Sequence, residues 1–246
     1  MARGFRTVEE FARNSAPYLS YLGEWVDGLP SLSLHEEMRS RGVRASEIGV
    51  VIQDMVQAFC CKGVLASPRV KAIIDPIVGL LNTAHDLGVK NFVLLEDHHK
   101  PDAREFAAYG PHAMEGTVES QTVPEIVSLP FADLFQRIPK NTIHPALGTD
   151  FEKWLHDRLD VKNVIVVGNC TDICVYQTAM YLKLRANAFN VDHRIIVPED
   201  CVQTYETRVD VAVRKGIMPH EGDLLHLVFL NHLALNGVEV VKRVTT

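Results

Sequence analysis

Four short apolar runs constrain this chain more than any other feature. They lie at residues 49–52, 92–95, 164–167 and 193–197, with helical patterns between them. The first three close on polar groups: Gln53-Asp54, Glu96-Asp97 and Gly168-Asn169-Cys170. The runs are nearly continuous rather than alternating, so each reads as a strand buried on both faces. The stretch 68–87 places Val70, Ile73, Ile74, Ile77, Leu80, Leu81 and Ala84 on one stripe, and Gly88 ends it. Pro76 either kinks that helix or marks its true start. Further helices are predicted over 151–159 and 172–188. Strands alternating with helices predict an α/β fold with a mostly parallel central sheet and helices on both faces, in three layers. Polar residues at the C-terminal ends of such strands are the ones to inspect for function.

Residues 1–45 carry two short amphipathic patterns, at 8–11 and 18–26, interrupted by Gly28, Leu29 and Pro30. They read as an N-terminal helical extension that covers a sheet edge or reaches a neighbouring subunit, with the main domain spanning 46–246. Twenty-five basic residues against thirty-one acidic ones, without a basic run, exclude a nucleic-acid partner as the first reading. The N-terminus has no signal-like apolar core, and no apolar run approaches the ~20 residues of a membrane span. A cytoplasmic protein with no membrane partner is expected. Five cysteines, an odd number, fit a reducing compartment better than a disulfide framework.

Cys174 sits in the turn Gly168-Asn169-Cys170-Thr171-Asp172-Ile173-Cys174-Val175, at the start of a helix. A thiol there feels the positive end of the helix dipole, and nearby N–H groups can bind an oxyanion. By position alone, a buried structural cysteine is an equally good reading. Asp54 could be a base or a turn residue. Asp97, His98, His99, Glu105, Tyr109 and His112 gather carboxylates and imidazoles in one loop. Such N/O donors suit Zn²⁺, Mn²⁺ or Fe²⁺, although the spacing matches no standard zinc signature. His144, His220, His226 and His232 carry no motif and read as structural or surface residues; Cys60, Cys61 and Cys201 receive no role.

Taken in order, these pieces resemble the nicotinamidase branch of the isochorismatase-like cysteine hydrolases over roughly residues 47–205. The resemblance implies a catalytic triad of Asp54, Lys140 (in Arg137-Ile138-Pro139-Lys140-Asn141) and Cys174. It implies one divalent ion on Asp97, His99, Glu105 and His112, with Zn²⁺ ahead of Mn²⁺ or Fe²⁺. An oxyanion would rest on the amides of Cys170 and Cys174, next to a cis peptide before Cys170. Phe59 and Tyr109 would sandwich a substrate ring, their alternative being ordinary packing. The implied reaction is hydrolysis of nicotinamide to nicotinate and ammonia through a thioester. The metal set argues against a true isochorismatase, which uses no metal. Two other readings stand beside it: a related hydrolase of another small amide or carbamoyl compound, and a catalytically silent binding relative. A homo-oligomer is expected. Gln57-Ala58 and Asn169-Cys170 depart from the family's usual residues, which bears on substrate choice.

Overall fold

The computed structural model describes residues 7–246, and the first six residues of the expected extension lie outside that range. Nine strands are present among the described residues: β1 (Leu32–Ser33), β2 (Ile48–Gln53), β3 (Asn91–Asp97), β4 (Phe135–Lys140), β5 (Asn163–Asn169), β6 (Arg194–Pro198), β7 (Val202–Gln203), β8 (Glu239–Val241) and β9 (Val244–Thr245). The main sheet runs β4-β3-β2-β5-β6-β8, with β7 beside the end of β5. All of its pairings are parallel. β1 and β9 form a separate parallel pair.

The apolar runs are continuous because both faces of the sheet are covered. Val50, Ile52, Phe92, Leu94, Ile165 and Val167 point into a core closed by the helix Ile74–Asp86. Their alternates Val51, Val93, Leu95, Val164 and Val166 point into a second core closed by the helices Cys174–Phe189 and Gly222–Leu235. The predicted three-layer α/β architecture is the observed one.

The stripe predicted over 68–87 is buried at all seven positions. It is divided between two helices, Pro68–Lys71 and Ile74–Asp86. Pro76 lies in the first turn of the second, where a missing N–H costs nothing. The two N-terminal patterns correct to one helix, Val8–Asp27, with Pro17 inside it. Thr7 and Glu10 start it with a reciprocal capping box. Only Leu22 and Val26 of this helix are buried. It lies against the helix Gly222–Leu235, and the Tyr18 hydroxyl donates to Asn231 at 2.9 Å. No described helix is long and apolar enough to cross a membrane.

Candidate active site

Strand register assembles the site. Asp97 pairs with Lys140 across β3 and β4, and Gln53 pairs with Gly168 across β2 and β5. Asp54, Asp97, Lys140 and the turn after Asn169 therefore meet at one end of the sheet. The β2–β5 contact is close: a Cβ on Gly168 would stand 2.0 Å from the Gln53 carbonyl oxygen, and Gly168 has φ 116°. Glycine alone fits both demands. Asp54 is itself in the left-handed region, at φ 52°. Three bonds hold it there. Its N–H donates to Leu95 O (2.8 Å), its carbonyl accepts from Asn169 Nδ2 (2.6 Å), and its Oδ1 accepts from the Asp97 amide (2.9 Å). Strain of this kind persists only where the surroundings over-determine it.

Lys140 is the hub. Its Nζ lies 2.8 Å from Asp54 Oδ2, donates to Asp97 Oδ1 and to Thr142 O (3.2 Å), and stands 3.9 Å from Cys174 Sγ. The side chains of Lys140 and Asp54 are wholly buried. Burial works against the ammonium, but Asp54 and Asp97 outweigh it and hold Lys140 well above the ordinary lysine range. Burial and the neighbouring charge of Asp97 push the Asp54 carboxyl up to about 6, in spite of Lys140. Burial alone would raise Asp97 too; the Lys140 ammonium outweighs it and holds the carboxyl well below the carboxylate range. Burial pushes the Cys174 thiol up, with Lys140 pulling the other way. Deprotonation of this buried thiol therefore calls for a neighbouring base.

Cys174 is the first residue of the helix Cys174–Phe189, and the Asn169–Cys170 peptide is cis. Among the described residues, the amides of Cys170 and Cys174 donate to no protein acceptor.

Asp97, His99 and His112 bring one donor atom each within 4.8 Å of one another, all buried. The His112 Nδ1 faces Gly110 O at 2.8 Å, and since a carbonyl only accepts, that nitrogen carries the proton. The Nε2 lone pair then points toward Asp97 Oδ2, 3.8 Å away. His99 is fully buried, its Nε2 is 3.3 Å from the same oxygen, and neither of its ring nitrogens is hydrogen-bonded. A carboxylate, an imidazole lone pair and a second imidazole without partners, gathered in one buried pocket, are costly unless a cation sits among them. The donor set fits a divalent metal ion. Glu105 stands slightly outside this group: Oε1 is 4.0 Å from His99 Nε2, and Oε2 accepts from the Ile143 amide at 3.2 Å.

A pocket opens over Cys174, with Phe59, Tyr109, Ile143, Ile173, Cys170 and Tyr205 among its lining residues. Phe59 and Tyr109 both lie beside His112, at ring separations of 5.5 and 6.3 Å. Among the described residues, no lysine or arginine lines it.

Several contributors were not singled out by the sequence reading. Thr178 donates to Gln53 Oε1 at 2.7 Å, and Gln53 Nε2 donates to Asp54 Oδ2 at 2.7 Å. Asn169, noted in the sequence only as a departure from the family's usual residues, secures the Asp54 backbone. Tyr205 supplies a further aromatic wall. Gln53 and Asn169 did carry a signal: polar side chains ending apolar strands beside Asp54 and Cys170.

The isochorismatase domain family matches residues 49–222. A nicotinamidase of Arabidopsis thaliana (Nicotinamidase 1) is 27% identical over 219 residues, covering 82% of this chain and 88% of that protein. The N-carbamoylsarcosine amidase of Thermoplasma acidophilum is 26% identical, with a TM-score of 0.60 over 80% of this chain and 96% of its own. A nicotinamidase from Bacillus subtilis, 22% identical, shares the fold at a TM-score of 0.63 over 79% of this chain and 99% of its own.

Proposed function

This chain belongs to the isochorismatase family, and from that premise we propose that it is a cysteine amidohydrolase acting on nicotinamide. The observation that carries the reading is the position of Lys140, buried between Asp54 and Asp97 and 3.9 Å from the Cys174 sulfur. A fully desolvated ammonium shared by two carboxylates and a thiol is costly to build as mere packing.

In this mechanism Asp54 takes the proton of Cys174, and the Lys140 ammonium holds the resulting thiolate in place. A carboxyl raised to about 6 suits proton exchange near neutrality. The thiolate adds to the amide carbonyl, and the amides of Cys170 and Cys174 receive the oxyanion. Asp54 returns the proton to the departing ammonia as the C–N bond breaks. Water then cleaves the thioester, restoring the thiol. Asp97, His99 and His112 would hold one divalent ion, with Glu105 completing the donor set. When bound, that ion supplies a Lewis-acidic point for a ring nitrogen. Phe59 and Tyr109 give the flat apolar walls that such a ring prefers.

A second reading, hydrolysis of a carbamoyl compound, draws on the 26% identity to N-carbamoylsarcosine amidase. That substrate carries a carboxylate, and among the described residues no lysine or arginine lines the pocket to pair with it. The test is ammonia release from nicotinamide, benzamide and an aliphatic amide. Nicotinamide should be cleaved much faster than benzamide, which has the same shape and no ring nitrogen. Equal rates, or activity on the aliphatic amide alone, would move the substrate to the second reading. Cys174→Ala should abolish turnover, and the wild-type enzyme should yield an acyl adduct on Cys174 by mass spectrometry.

A further inference from the structure

After β7 the chain leaves the sheet and makes an excursion through the helix Val209–Lys215 before the helix Gly222–Leu235 begins. Thr207 and His220 close its base, each amide donating to the other's carbonyl at 2.8 Å. Tyr205 lies at that base and lines the pocket. The His220 ring stacks on Tyr205 with centroids 3.8 Å apart and planes 16° from parallel. His220 Nδ1 is 2.9 Å from the Tyr205 carbonyl oxygen, and Nε2 is 2.8 Å from Asp172 Oδ2.

Both ring nitrogens of His220 thus face oxygen. A carbonyl only accepts, so Nδ1 carries a proton; an ionised carboxylate only accepts, so Nε2 carries one as well. Burial opposes a charged ring, but the bond and charge of Asp172 and the Tyr205 carbonyl outweigh it and raise His220 above its ordinary value. Asp172, correspondingly, is lowered in spite of its burial, chiefly by His220. Glu206 adds a negative charge nearby. Arg69, the cation on the neighbouring helix, is taken up by Asp223 (2.8 Å), Gln203 (3.0 Å) and the Thr204 carbonyl (3.1 Å). Asp172 belongs to the same turn as Cys174.

We propose that His220 is a positioning residue: a fixed imidazolium that presses Tyr205 against the substrate pocket and ties that wall to the turn carrying Cys174. Neutralising or removing it should let the Tyr205 ring swing away while leaving the nucleophile and its proton partners in place. The consequence is specificity: the cation-backed ring holds the flat face of the substrate, so its loss is felt in binding.

Two measurements test this, and only the second rests on the amidase reading above. Long-range proton–nitrogen spectra of the histidine rings, with His220 identified by its disappearance in His220→Gln, should show both nitrogens protonated at about pH 7.5. Asp172→Asn should return the ring to a single tautomer. A wild-type His220 with one protonated nitrogen at that pH would overturn the proposal. In steady-state kinetics, His220→Gln and Tyr205→Ala should each raise KM by roughly tenfold with kcat within about twofold. The double variant should be no worse than Tyr205→Ala, because His220 acts through that ring. Multiplying losses, or a fall in kcat at constant KM, would also overturn it. If no amide is cleaved at all, the amidase reading fails while the spectra still decide the state of His220.

Discussion

The hydroxyl of Thr178 donates to the carboxamide oxygen of Gln53 at 2.7 Å, and that bond decides which end of the amide faces Asp54. With its oxygen engaged, Gln53 must offer Nε2 to Asp54 Oδ2, 2.7 Å away. The buried face of the helix Cys174–Phe189 therefore reaches through β2 to the carboxylate we assign as base.

Thr178→Val keeps the volume of a wholly buried side chain and removes only the donor. The Gln53 amide loses its orientation, and a carboxylate meets an oxygen in part of the population. We expect stability to fall by about 1 kcal/mol and kcat by roughly tenfold. Urea titration and ammonia release check the two. Unchanged kcat would show that the amide stays oriented without its partner.

Lys140→Met fills similar space and leaves Asp54 and Asp97 buried without their shared ammonium. Removing one partner of a buried ion pair costs about 3–5 kcal/mol. The variant should melt well below wild type and lose turnover, as read by calorimetry and a product assay. A melting temperature equal to wild type would mean that the ammonium contributes no net stabilisation.

The metal set makes a separate prediction. His112→Ala should reduce bound metal, measured by elemental analysis after purification, and should weaken substrate binding more than it changes folding. A chelator should lower wild-type activity, with zinc restoring it ahead of manganese or iron. Full metal occupancy in the variant would remove His112 from the ligand set.

Residues 1–45 we take as an extension added to the main domain. Leu22, buried to 1% exposure, is one of two anchors of its long helix. Leu22→Ala should cost about 2–5 kcal/mol if the helix is integral to the fold. A much smaller loss would mean that the helix docks loosely. Light scattering on the same variant tests the expected homo-oligomer, whose contacts the exposed Val8, Phe11 and Leu19 could share.

What the sequence disclosed followed from burial. β2, β3 and β5 were legible because both their faces are covered, leaving unbroken apolar runs. β4 was not, although it carries Lys140. As an edge strand it interrupts its buried residues Phe135, Ile138 and Lys140 with the less buried Gln136, Arg137 and Pro139, and Pro139 argues against a strand interior. Asp97, His99 and His112 share one loop, so their proximity could be read along the chain. Thr178–Gln53 and Tyr205–His220–Asp172 are contacts between distant segments with no local pattern. His220, read as structural or surface, is buried under the pocket wall.

Gly168 carries a consequence of its own. Because a single added carbon there would run into the Gln53 carbonyl, the two central strands can approach only while that carbon is missing. The gap between acid and sulfur is thus gauged by a backbone, not by any reactive side chain. Gly168→Ala would leave every group of the site present and chemically whole, yet would wedge β5 off β2 and lengthen the reach between Asp54 and Cys174. Such a protein would be an instrument with all its parts and the wrong spacing.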